Sequence, residues 1–110
     1  MISLITSIEE FNQIIKTNAS ALIYFSHEKC NVCKVLKPKV QNLLQEDYPN
    51  IKMFYADTEL YPKVAAQNSI FTVPTILIFF DGKEFLRKSR NIGIAELSKA
   101  IDRPYNLIFD

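Results

Sequence analysis

The sequence predicts an α/β fold with a mixed central sheet and helices on both of its faces. Three observations carry this. Two short, nearly continuous apolar runs, Ala21 to Phe25 and Ile76 to Phe80, have strand length and read as strands covered on both sides. Segments of helical period alternate with the strands. Asp81-Gly82 between Phe80 and Lys83 is a two-residue hairpin signal, which adds an antiparallel strand to the sheet. The 110 residues suit one domain spanning 1–110, and a chain of that size folds without staples.

The elements follow in order. A short strand is expected at Ser3 to Ile5. Ser7 precedes Glu10 by three residues, a capping-box pattern, and Ile8, Phe11, Ile14 and Ile15 then share one helical face. The strand Ala21 to Phe25 follows. After Cys30, the residues Val32, Leu36, Val40, Leu43 and Leu44 repeat at helical spacing, and this helix should run to about Asp47, before Pro49. "IKMFYAD" (51–57) is the next strand and "ELYPKVAAQN" (59–68) a short helix. "PTILIFF" (74–80) and the strand from Lys83 form the hairpin. "IAELSKAI" (94–101) is a final helix, halted by Pro104.

Composition excludes several function classes. With 13 basic and 12 acidic residues the net charge is +1, so nothing recommends nucleic acid or an anionic membrane as partner. The apolar runs are too short to span a bilayer. "MISLITSIEEF" lacks the basic start, apolar core and cleavage site of a signal peptide, so a cytoplasmic home is expected.

Both cysteines of the chain stand together, as Cys30-Asn31-Val32-Cys33, where a strand ends and a helix begins. In a reducing compartment such a pair is catalytic or metal-binding rather than structural, and the loop it closes is too small to constrain the chain much. Two inert core thiols would be the plain alternative, but the flanking "SHEK" is polar. A helix N-terminus lowers a thiol's pKa, and Lys29, His27 and Lys34 are close in sequence. Cys33 lies one turn on, within reach of a disulfide. An exposed nucleophile beside a more buried resolver is what thiol–disulfide exchange requires. A zinc site needs four ligands, and His27 is the only histidine, so no metal is expected within one chain. A site shared across a dimer is the remaining metal reading.

The chain resembles the thioredoxin family over nearly its whole length. The motifs are "CNVCK" at the start of the second helix, Pro38 eight residues after Cys30, "TVPT" around Pro74, "FFDGKEF" at the hairpin, and Gly93. The resemblance implies a thioredoxin-like sheet of four or five strands and a cis-proline at Pro74. It implies that Val73 offers its backbone to an extended substrate and that Gly93 borders the substrate groove. It also implies protein disulfides as substrates and a thioredoxin reductase or another dithiol reductant as partner. No cofactor, nucleic acid or membrane is implied, and a monomer is expected.

The departures from the family pattern mark Tyr24, Lys29, Asn31 and Val32 as tuning positions. Asn31-Val32 stands where Gly-Pro is common, and Lys29 where tryptophan is usual; the chain has no tryptophan. Tyr24 replaces the family's buried aspartate, and Met53 the lysine beside it. A non-catalytic thioredoxin-fold binding or scaffold module is therefore the rival to an oxidoreductase. His27 reads either as an aid to Cys30 or as a solvated loop residue. Phe79, Phe80 and Phe85 are expected in the core. Arg87, Lys88 and Arg90 read as a solvated edge strand, and Ile70 and Phe71 either as an apolar rim for a substrate chain or as partly buried residues without function. The tail "RPYNLIFD" is expected to fold back onto the core rather than to dock on another chain.

Overall fold

The computed structural model describes residues 2–109; the expected domain span 1–110 begins and ends on Met1 and Asp110, outside that range. The elements are β1 (Ser3–Ile5), α1 (Ile8–Thr17), β2 (Ser20–Ser26), α2 (Asn31–Asp47), β3 (Lys52–Asp57), α3 (Pro62–Gln67), β4 (Thr75–Phe80), β5 (Lys83–Ser89) and α4 (Ile94–Phe109). They form a five-stranded mixed sheet in the order β1-β3-β2-β4-β5. β1 and β2 pair parallel with β3, while β4 pairs antiparallel with both β2 and β5.

The alternation of side chains along a strand divides the core into two layers. Leu22, Tyr24, Met53 and Tyr55 face α2 and α4, together with Cys33, Leu36, Val40, Leu97 and Ile101. Ile23, Phe25, Phe54 and Ala56 face the opposite way, onto Phe11 of α1 and Val64 of α3. Burial of β2 on both faces explains why its sequence shows no polar alternation.

Local signals act largely as expected. The Ser7 hydroxyl accepts the Glu10 N–H at 3.1 Å and starts α1. The Glu10 carboxylate does not return to Ser7 as a capping box would have it. It accepts from the Thr6 N–H at 2.6 Å and the Thr6 hydroxyl at 2.9 Å, and these bonds hold its carboxyl below the usual range. Asp81 and Gly82 both take positive φ, +54° and +79°, as a two-residue hairpin demands.

Two expectations are corrected. Pro104 does not halt the last helix; α4 continues through it to Phe109. A proline inside a helix costs about 3 kcal/mol. What offsets that cost is the packing of Tyr105, whose ring lies 5.0 Å from that of Tyr48 and 4.8 Å from that of Phe109. The Tyr105 hydroxyl also accepts the Asn50 N–H at 3.1 Å. The described part of the tail is helical and lies on the core through Tyr105 and Phe109, while Leu107 and Ile108 are exposed. Phe85 is the second correction: it is exposed. The β4–β5 register steps from Ile78↔Leu86 to Phe79↔Glu84, so Phe85 is the extra residue of a bulge and has no cross-strand partner. Its ring meets that of Phe80 edge to face, with centroids 5.6 Å apart.

Candidate active site around Cys30 and Cys33

The site forms where β2 hands over to α2. Ser26 ends β2, and the Cys30 N–H donates to the His27 carbonyl at 3.2 Å, closing a tight turn. Cys30 is then the N-cap of α2, and its sulfur accepts the Cys33 N–H at 3.1 Å. A sulfur in this position meets the unpaired N–H groups and the positive end of the helix, which stabilise a thiolate. The Cα atoms of Cys30 and Cys33 are 5.2 Å apart and the two are joined by a disulfide. Cys30 is half-buried, whereas Cys33 is 1% exposed. Lys29, Asn31 and Val32 are exposed around them.

The sheet brings a second segment to the same end. Thr75, the first residue of β4, is opposite Phe25 near the end of β2, so the preceding Val73 and Pro74 reach the level of the Cys30 turn. The Val73–Pro74 peptide bond is cis. Pro74 is buried; Val73 is half-buried, and its N–H and carbonyl bond to no described residue. The segment is tied down on either side, by the Thr75 hydroxyl donating to the Thr72 carbonyl at 2.7 Å and by the Arg90 N–H donating to the Pro74 carbonyl at 2.8 Å. Gly93 is exposed, immediately before α4, and lines with Val32 and Val35 an open cleft beside the cysteines. A Cβ added there would meet only the Glu96 side chain, at the ordinary contact distance of 3.4 Å.

On the other flank, a smaller cleft is lined by His27, Ile70, Phe71 and Val73. Ile70 is buried in its floor, and Phe71 is 88% exposed at its rim, so the two do not share one role. His27 is half-buried, and its side chain makes no hydrogen bond to Cys30. Its Nδ1 is buried without a hydrogen-bond partner among the described residues and lies 3.8 Å from the Glu59 carboxylate.

Beneath the cysteines, Tyr24 is fully buried and its hydroxyl donates to the Cys33 carbonyl at 2.8 Å. Burial pushes the phenol's pKa up, with a smaller contribution from Tyr55. Tyr55 is the register partner of Tyr24 on β3, and the rings stack at 6.4 Å. The Lys37 ammonium lies over the Tyr55 ring, 4.1 Å from its centre. Met53, also buried, supplies no charge. Sequence reasoning missed Tyr55 and Lys37. Both were open to it: Lys37 is one helical turn after Cys33, and Tyr55 is two residues after Met53 on the same strand face. Among the described residues there is no cluster of three or more metal-ligating side chains, and no helix is long and apolar enough to cross a membrane.

Comparison with known proteins agrees with this geometry. The thioredoxin family model matches residues 3–103. The chain is 37% identical over 103 residues to the thioredoxin-like protein YdfQ of Bacillus subtilis (strain 168), covering 94% of this chain and 88% of that one. It is 34% identical over 80 residues to thioredoxin of Chlamydia trachomatis, covering 73% and 74%. The crystal structure of mitochondrial thioredoxin 3 from Saccharomyces cerevisiae, in its oxidized form, superposes with a TM-score of 0.83 at 27% identity, covering 91% of this chain and 92% of that one. Five strands in this order, the paired cysteines at the helix start and a family match over nearly the whole length lead to one conclusion: the chain belongs to the thioredoxin family.

Proposed function

We propose that the protein is a thiol–disulfide oxidoreductase that reduces protein disulfides, with Cys30 as nucleophile and Cys33 as resolver. The observation that carries the reading is the asymmetry of the pair. The Cys30 sulfur sits half-buried at the helix N-terminus and accepts a backbone N–H, while Cys33 is buried one turn inside. In the reduced protein the Cys30 thiolate attacks one sulfur of a substrate disulfide and displaces the other as a thiolate. The Cys33 sulfur then attacks Cys30, the Cys30–substrate bond breaks, and the substrate leaves with both of its sulfurs reduced. The dithiol has become the disulfide, and an external dithiol reductant must return it.

The free N–H and carbonyl of Val73 suit strand-like pairing with an extended substrate segment, held against Pro74 on one side and Gly93 on the other. Lys29, Asn31 and Val32 are placed to tune the potential of the pair. A thioredoxin reductase or another dithiol reductant, a cytoplasmic location with a part in cell redox homeostasis, and a monomer acting as one unit over residues 1–110 complete the proposal.

The test is reduction of a model protein disulfide by the wild type, Cys30→Ser and Cys33→Ser proteins. Turnover by the wild type alone, with Cys33→Ser held as a mixed disulfide on its substrates, is the expected result. A wild type that binds disulfide proteins without reducing them would instead make this a binding module. Metal analysis of the purified protein separates off a site shared between two chains.

A further inference from the structure

The hydrogen bond from Tyr24 to the Cys33 carbonyl links the sheet to the main chain of the resolving residue, and nothing in the exchange scheme above uses it. Its placement is unusual for a helix. A carbonyl in the first turn of α2 already faces the N–H four residues on. Pro38 has no N–H, so the neighbouring Lys34 carbonyl lacks that partner and the first turn is held less by its own ladder. The buried phenol supplies the hold from outside.

The ionisable groups around Cys33 can be named element by element. β2 presents Tyr24, and β3 presents Tyr55 and Asp57. Lys37 of α2 lies over Tyr55, and Glu28 of the preceding loop acts on Tyr55 through its charge. β4 and α4 contribute apolar Ile76, Ile78, Leu97 and Ile101 to the layer that buries Cys33. Asp57 Oδ1 accepts the N–H groups of Glu59 and Leu60 at 2.9 and 3.0 Å, and the carboxylate makes no hydrogen bond to Cys33. The Tyr24 proton is committed to a carbonyl.

Resting on the exchange reading, we infer that Tyr24 is a positioning residue for the second half of the reaction: its hydroxyl fixes the Cys33 main chain, no protein group takes the Cys33 proton, and that proton passes to water. The step balances simply. The Cys33 thiol loses its proton to solvent and its sulfur bonds to Cys30. The Cys30–substrate bond breaks, and the substrate sulfur departs with the electron pair.

The test uses dithiobis(nitrobenzoate) with the reduced full-length protein under single-turnover conditions. One coloured thiolate is released on attack by Cys30 and a second on closure by Cys33. In the wild type the second phase should rise about tenfold per pH unit below the Cys33 pKa, as a reaction of free thiolate must. Tyr24→Phe keeps the ring and its burial. It should leave the first phase unchanged, slow the second about tenfold and keep the same pH slope. A stability role alone would not change the ratio of the phases. A second phase that levels off in the wild type at neutral pH overturns the inference, whether or not the variant folds. So does a Tyr24→Phe second phase equal to the wild type's. If the wild type releases no second thiolate at all, the exchange reading itself fails.

Discussion

The Cys33 N–H donates to the Cys30 sulfur at 3.1 Å and so helps hold that sulfur at the mouth of the helix. This bond is formed inside the pair and needs no substrate, and it favours the charged form of Cys30 over the neutral one. Cys30 of the reduced protein should therefore titrate below the ~8.5 of a free thiol, and Cys33 should remain protonated at neutral pH. Alkylation rates followed against pH, with the modified cysteine identified by mass, decide it. Faster reaction at Cys33 would reverse the assigned roles.

Phe71 is exposed beside Val73, so its removal leaves no cavity. Phe71→Ser should change stability by no more than about 0.5 kcal/mol. On a protein substrate it should raise KM by roughly tenfold, the worth of one lost apolar contact, with kcat little altered. Reduction of dithiobis(nitrobenzoate), which is too small to reach along the cleft, should be unaffected. Steady-state kinetics on the two substrates side by side show whether the rim takes part in binding.

Tyr105 carries the end of α4. Tyr105→Ala removes a buried ring from between Tyr48 and Phe109 and leaves the Asn50 N–H without its acceptor. The loss should be about 3–5 kcal/mol, read as a lowered urea midpoint. With the ring gone, Pro104 regains its helix-breaking effect, and amide exchange from Tyr105 to Phe109 should quicken well before the sheet opens. Equal protection in both proteins would show that Tyr105 is not what carries the helix past the proline.

Burial raises the Tyr24 phenol, and burial likewise raises Tyr55 and Tyr48. The sign follows from the protons bound. Above pH ~10 the unfolded chain loses phenolic protons that the folded chain still holds. Stability is thus fully present below that pH and falls as pH rises through the folded values. Tyr24→Phe has no proton to lose at this position, so its stability should fall less steeply above pH ~10 than the wild type's. Urea unfolding at a series of alkaline pH values measures the two slopes. Parallel slopes would mean that Tyr24 ionises as readily folded as unfolded.

Tyr24→Asp places a carboxyl in a site shaped for a phenol. It should cost about 3–5 kcal/mol at neutral pH, from the lost ring and the buried charge together. Desolvation raises the folded carboxyl's pKa above its unfolded value, so this cost is smallest below the unfolded value and grows as pH rises. If the new carboxylate serves as a base, the closing phase with dithiobis(nitrobenzoate) becomes faster and less dependent on pH than in the wild type. Stopped-flow traces on the folded fraction test this; an unchanged closing phase would mean that the carboxylate does not reach the Cys33 thiol.

What the sequence determined by itself was local. Ser7, the Asp81-Gly82 turn and the apolar runs act on neighbours a few residues away, and the same is true of Cys30 at the head of α2; such effects are written in spacing and residue type. The cysteine pair and its chemistry were legible for that reason, and the resemblance to thioredoxins added Val73, Pro74 and Gly93 as candidates. The tertiary structure decided whatever depends on partners distant in the chain. Pro104 was read as a stop because a local penalty of about 3 kcal/mol is visible in sequence, whereas the packing of Tyr105 on the Tyr48 ring, which outweighs it, joins residues 57 apart in the chain. Phe85 looked like core until the register step of β5 turned it outward. Local spacing marks Tyr55 and Lys37 as neighbours of the site, but it does not show that the Tyr24 hydroxyl meets the Cys33 carbonyl or that Lys37 covers Tyr55. Those contacts exist only once β2, β3 and α2 are packed, because side-chain direction across an interface is set by the sheet register and the helix's seat upon it.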